Sequence, residues 1–156
     1  MVIGLGNRYR RDDGVGPVVV AAISERPLPG VRVVTGIEDP FALLDAWSGA
    51  TLAVVIDAAV ASPPAPGRIR RQTDGDMTPA VPVSTHGLDV TGAYALGRAL
   101  GRAPRQLVLF TVEAADTGHG LGLTPQVAAA VPEVVAATVA EIACIGPPRH
   151  DRGPGA

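Results

Sequence analysis

Residues 1–26 read MVIGLGNRYRRDDGVGPVVVAAISER, and their pattern decides the fold class. The apolar run Met1–Leu5 has the character of a β-strand and stops at Gly4-Leu5-Gly6-Asn7. From Asp13 to Arg26 the apolar residues Val15, Val18, Val19, Ala22 and Ile23 recur at three- and four-residue spacing, which predicts a helix. Pro17 falls in its first turn, where a missing N–H costs little, and Pro27, Pro29 and Gly30 end it. The alternation then repeats. Val31–Val34 is a second apolar run, and Asp39-Pro40 has the cap-plus-proline signature of a helix reaching about Trp47. Thr51–Ile56 is almost wholly apolar, as a strand buried on both faces should be.

After the loop Ala61–Gly67, residues 67–72 predict a short edge strand, and the breakers of Thr73–Ser84 predict a mobile loop. Helical spacing returns over Gly87–Gly101, with Leu88, Tyr94, Ala95 and Leu96 as the expected buried stripe. Gln106–Val112 is another apolar strand. Thr124-Pro125 opens a final helix to about Ile145, where Pro132 predicts a kink or restart. The expectation is a single three-layer α/β/α domain over residues 1–145, with a mostly parallel central sheet of about five strands. Residues 146–156 are expected to form a disordered tail. In such folds the functional crevice lies beyond the carboxyl ends of the strands.

Composition narrows the chemistry. Of 156 residues, 47% are apolar and 18% charged, which excludes an ordinary disordered chain. A formal charge of −2 offers no basic footprint for nucleic acid or anionic lipid. All 13 cationic side chains are Arg; with no Lys, Schiff-base chemistry, a Walker A lysine and a Ser–Lys dyad are excluded. The single Cys144 excludes an intrachain disulfide and is expected to be packed in the last helix. No stretch of about 18 apolar residues is free of charge and Pro, so the expectation is a soluble, cytoplasmic protein; a monomer is expected, though nothing in the sequence fixes the oligomeric state.

Polar residues gather where the apolar runs end. The first hands over to Asn7 and then Asp12-Asp13-Gly14. The third meets Asp57, the only charged residue between Trp47 and Arg68. Ser84-Thr85-His86-Gly87 precedes a helix, and Glu113-Ala114-Ala115-Asp116 follows the last strand. Each has a plain alternative: Asp57 as a helix cap or loop ion pair, His86 as a loop hydrogen bond, Asp12 and Asp13 as favourable charges at a helix start. Together, carboxylates and an imidazole converging from separate elements suit a borderline divalent cation such as zinc or nickel. A dinucleotide site is excluded, since the third glycine position of G-x-G-x-x-G is Tyr9 and the second strand ends in Thr35-Gly36. There is no G-x-S-x-G. His119 reads as a turn residue, and His150 lies in the expected tail.

These motifs carry a resemblance. Val2-Ile3-Gly4-Leu5-Gly6-Asn7 with Asp12-Asp13-Gly14-Val15-Gly16-Pro17, Val54-Val55-Ile56-Asp57-Ala58, Ser84-Thr85-His86-Gly87-Leu88 and Val112-Glu113-Ala114-Ala115-Asp116 resemble the hydrogenase maturation endopeptidases over about residues 1–145. The resemblance implies a metal-dependent endopeptidase that trims the C-terminal extension of a [NiFe] hydrogenase large-subunit precursor. Asp13, Asp57 and His86 would be its metal-contacting and catalytic set, gripping nickel carried in by the substrate, with zinc or cadmium able to substitute. Asp12 and Glu113 are candidate assistants, and Gly4, Gly6 and Gly14 shape the backbone. Where many members carry an acidic D-G-G turn, this chain has Val34-Thr35-Gly36-Ile37-Glu38-Asp39. Two alternatives stand beside this reading. One is a non-catalytic nickel- or precursor-binding module of the same fold. The other is a peptidyl-tRNA hydrolase-like enzyme, whose T-R-H-N segment and basic tRNA surface are both missing here.

Overall fold

The computed structural model describes residues 1–77 and 88–145. His86, His150, most of the 73–84 loop and the expected tail lie outside the described residues. The elements are β1 (Val2–Gly4), a 3-10 turn (Arg11–Gly14), α1 (Val15–Ser24), β2 (Val33–Val34), α2 (Pro40–Trp47), β3 (Leu52–Ala59), β4 (Ile69–Thr73), α3 (Val90–Ala99), β5 (Gln106–Glu113) and α4 (Pro125–Cys144).

The five strands form one sheet in the order β2-β1-β3-β5-β4. All neighbours are parallel except β4, which runs antiparallel to β5 at the far edge. Alternation along the strands divides the core in two. Val54, Ile56 and Ala58 of β3 and Val108, Phe110 and Val112 of β5 face α1 and α4. Ala53, Val55, Leu107 and Leu109 face α2 and α3. There Trp47 and Tyr94 meet edge to face, their ring centroids 6.3 Å apart. This is the three-layer architecture expected from the sequence.

Several boundaries differ from expectation, each for a local reason. The expected helix from Asp13 starts instead at Val15, behind a separate 3-10 turn, because Gly14, with φ −79° and ψ 2°, departs from helical geometry at the junction. The α3 stripe is Val90, Ala93, Tyr94 and Gly97, leaving Ala95 and Leu96 exposed. α4 runs through Pro132 as one element. Cys144 is exposed rather than packed. By length and composition α4 could span a bilayer, yet it buries Val127, Ala130, Val134 and Val135 within the domain and packs against α1.

β3 also outlasts the expected strand. It pairs with β5 as far as Ala59↔Glu113, whereas β1 ends at Gly4↔Ile56. Asp57 is therefore inside a strand but is the first β3 residue beyond the end of β1. From β1 the chain crosses outward to β2 and then back past β1 to β3, so the β1–β3 boundary is the topological switch point, where crevices form.

Close packing at this point rests on glycine. A Cβ on Gly16 would lie 2.3 Å from the Leu5 carbonyl oxygen and 2.7 Å from that of Ile56. Gly6 has φ +110°, and a Cβ there would collide with the Asp13 carbonyl. Gly4 and Gly14 make equally close approaches, to Gly16 and Arg8. The turn and the start of α1 thus lie directly on the strand ends. Gly16→Ala should cost about 1–3 kcal/mol by overpacking, read as a lowered urea midpoint, and an unchanged midpoint would show that the crossing is loose.

Candidate functional site

Two adjacent aspartates in the turn have different surroundings. Asp12 is fully buried, and its carboxylate accepts hydrogen bonds from the N–H groups of Ala115 (2.8 Å), Asp116 (2.9 Å) and Thr124 (2.7 Å) and from the Thr124 hydroxyl (2.8 Å). It ties the turn to the loop after β5 and to the first residue of the α4 cap. Burial pushes its carboxyl up, but donation from the Thr124, Asp116 and Ala115 N–H groups and the Thr124 hydroxyl outweighs that, holding it below its ordinary 3.8. Asp12 is a clamp, which answers its candidacy as a catalytic assistant.

Asp13 is also fully buried, and its Oδ2 accepts from the Asn7 N–H at 2.7 Å. Its turn packs against β3. On β3, Asp57 is 3% exposed, with Oδ1 accepting from the Ala58 N–H at 2.8 Å. Asp13 and Asp57 thus stand on two elements in contact at the switch point, each with one carboxylate oxygen fixed by a backbone N–H. His86 lies outside the described residues. Among the described residues, no group of three His, Cys, Asp or Glu is placed to hold a metal ion.

Glu113 faces other work. It is buried, accepts from the Ala65 N–H at 2.9 Å, and pairs with Arg70 at 3.1 Å and Arg68 at 3.6 Å. That arrangement closes the Pro-rich loop onto the sheet edge. His119 is exposed in a bend, as expected of a turn residue. Sequence reading passed over Thr111, the register partner of Asp57 on β5. It is buried, and its hydroxyl has no hydrogen-bond partner among the described residues. A threonine within a β-branched run carries no signal that would single it out.

A cleft of about 760 Å³ opens beside these residues, with Asp13, Arg8, Tyr9 and Arg10 at one end. The segment that replaces the acidic turn forms part of it. Asp39 is committed elsewhere, its side chain capping α2 through the Ala42 N–H at 2.9 Å, whereas the exposed Glu38 lines the cleft. Tyr9 (63% exposed) and Leu121 (70%) flank the strand ends as large uncovered apolar side chains.

The sequence profile of the hydrogenase maturation proteases (HycI) matches residues 18–141, most of the chain. The chain belongs to the hydrogenase maturation protease family. The family makes it a maturation endopeptidase, a hydrolase of a class that acts on hydrogenase large-subunit precursors. The hydrogenase maturating endopeptidase HybD of Escherichia coli shares its fold, with a TM-score of 0.77 at 24% identity over 93% of this chain and 92% of that one. HybD of Thermococcus kodakarensis gives 0.75 at 24% identity over 90% and 97%. HycI from the same organism gives 0.69 at 20% identity over 90% and 89%. No curated protein sequence matches the chain at a significant level.

For this maturation protease the Asp12 clamp makes stability depend on pH with a definite sign. Its folded-state pKa is depressed, so its contribution is present above the unfolded-state value of about 3.9 and is lost as pH falls through the folded-state value. Asp12→Asn should destabilise at pH 7 by about 1–3 kcal/mol, because a carboxamide oxygen cannot serve all the donors. In urea titrations the gap between wild type and variant should shrink at pH 3. A constant gap would mean that the charge at Asp12 is not what the donors stabilise.

Proposed function

We propose that this protease removes the C-terminal extension of a nickel-loaded [NiFe] hydrogenase large-subunit precursor and recognises the loaded state by contacting nickel through Asp13, Asp57 and His86. The observation that carries the reading is the pair of buried carboxylates on either side of the β1–β3 switch point. Each is fixed by a backbone N–H, so neither needs to reorganise to meet a cation. Two carboxylates with the imidazole of His86 would make an oxygen-and-nitrogen donor set suited to a borderline divalent ion.

The selectivity follows from burial. Two carboxylates in a partly desolvated crevice gain from a divalent cation and have little to offer an uncharged peptide. A precursor without nickel therefore gives this site nothing to hold, and cleavage waits on metal insertion. Beside the scissile bond the ion's charge would polarise the carbonyl. The chain's part is to fix the ion relative to that bond and to supply a carboxylate able to take a proton from the attacking water. The exposed Tyr9 and Leu121 beside the crevice suit a folded protein substrate better than a small molecule.

The test is cleavage of a nickel-loaded precursor, followed by mass spectrometry of the released C-terminal peptide. Wild type should cut loaded precursor and leave nickel-free precursor intact. Asp57→Asn keeps the acceptor for the Ala58 N–H, so it should fold normally yet process at least about 100-fold more slowly. His86→Ala should behave the same way. Processing at the wild-type rate in either variant would overturn the ligand assignment. Nickel binding by wild type without any cleavage would favour a binding module instead.

A further inference from the structure

The cleft beside Asp13 lies between α1 and the sheet edge. One wall is a row along α1 (Pro17, Ala21 and Ser24), and the other is β2 with the residues just after it. The groove meets the candidate site at Asp13, which lines it together with the loop 7–10.

Among the described residues β2 is an edge strand that pairs with β1 alone. In a parallel ladder, alternate residues turn their N–H and C=O toward the neighbouring strand. The Arg32 carbonyl accepts from the Val2 N–H at 2.8 Å, and the register is Val2↔Val33 and Ile3↔Val34. Val34 is therefore bonded to β1, whereas Val33 turns its N–H and C=O outward, away from the sheet. At the head of the groove stands Arg8, exposed and without a hydrogen bond or ion pair among the described residues. From Pro17 to Ser24 the helical wall rises about 10 Å, room for about three extended residues at roughly 3.3 Å each.

We infer that the C-terminal extension of the precursor lies in this groove as an added strand, hydrogen-bonded to the outward main chain of Val33 and met by Arg8 near the scissile bond. This rests on the protease reading above, which puts the scissile bond at the carboxyl ends of the strands. An extension leaving that point along the groove runs from the end of β2 toward its start, so it pairs antiparallel. Recognition through main-chain bonds makes small demands on side chains. The extension is gripped by its backbone, and selectivity is left to the metal.

The decisive variant is Val33→Pro. It deletes the outward N–H and nothing that bonds to β1, a change that edge strands tolerate when the N–H faces solvent. Val33→Ala controls for the side chain. With nickel-loaded precursor, Val33→Pro should raise KM about three- to tenfold, the loss expected for one hydrogen bond, with kcat unchanged. Val33→Ala should match wild type, and Arg8→Ala should also raise KM. Amide hydrogen exchange on wild type gives a readout independent of cleavage: the Val33 amide should slow when precursor binds. Equal KM for Val33→Pro and Val33→Ala, with an unprotected Val33 amide in the bound state, would overturn the inference while leaving the protease reading intact. A protected Val33 amide without cleavage would uphold the groove and overturn the protease reading. Failure of wild type to bind the precursor would overturn both.

Discussion

A buried carboxylate with four donors around it fixes the geometry of the strand-end region. Asp12 draws the turn before α1, the loop after β5 and the threonine that begins α4 into one junction. The negative charge also lies at the amino end of α4, where the helix dipole favours it. α1 and α4 pack against each other along that face of the sheet, so the clamp sets where both helices begin. Asp13 is the next residue in the chain, and its position is inherited from its neighbour. The clamping carboxylate and the candidate ligand are thus adjacent in sequence and differ in their partners.

This difference explains what could and could not be read from the chain. Strand and helix order, the parallel sheet and the three layers follow from apolar periodicity and breakers, because those signals are local. Asp13 and Asp57 were legible as candidates because a carboxylate at the end of an apolar run is expensive without a purpose. That Asp12 clamps the turn was not legible, since its partners are residues 115, 116 and 124, more than a hundred positions away. The same holds for Glu113, which looks like a strand-end acid but is consumed by Arg68, Arg70 and the Ala65 amide. Gly16 escaped notice because an interior helix glycine reads as a weak helix former. Its meaning lies in the two carbonyls it approaches, those of Leu5 just after β1 and Ile56 of β3.

Unequal strand lengths complete the site. β1 stops at Gly4 while β3 and β5 continue by three more residue pairs. The step this leaves puts Asp57 past the end of β1, beside the turn that carries Asp13, although it remains buried and bonded within a strand. An apolar run is a good guide to where a strand lies buried and a poor guide to where its pairing ends. The expected end at Ile56 marks the neighbour's limit instead.

The two edges of the sheet differ in a way that bears on self-association. On β4 the outer margin carries Arg70 and Arg71, with Arg68 just before it; Arg70 is bound to Glu113 and Arg71 to Glu141. Such a row of charge obstructs the approach of another sheet. The opposite margin is β2, only two residues long. Open-ended polymers built through sheets need two receptive edges on every copy, and the described residues offer one. Edge pairing between copies through these residues joins β2 to β2, a contact that closes at two molecules rather than propagating into a fibre.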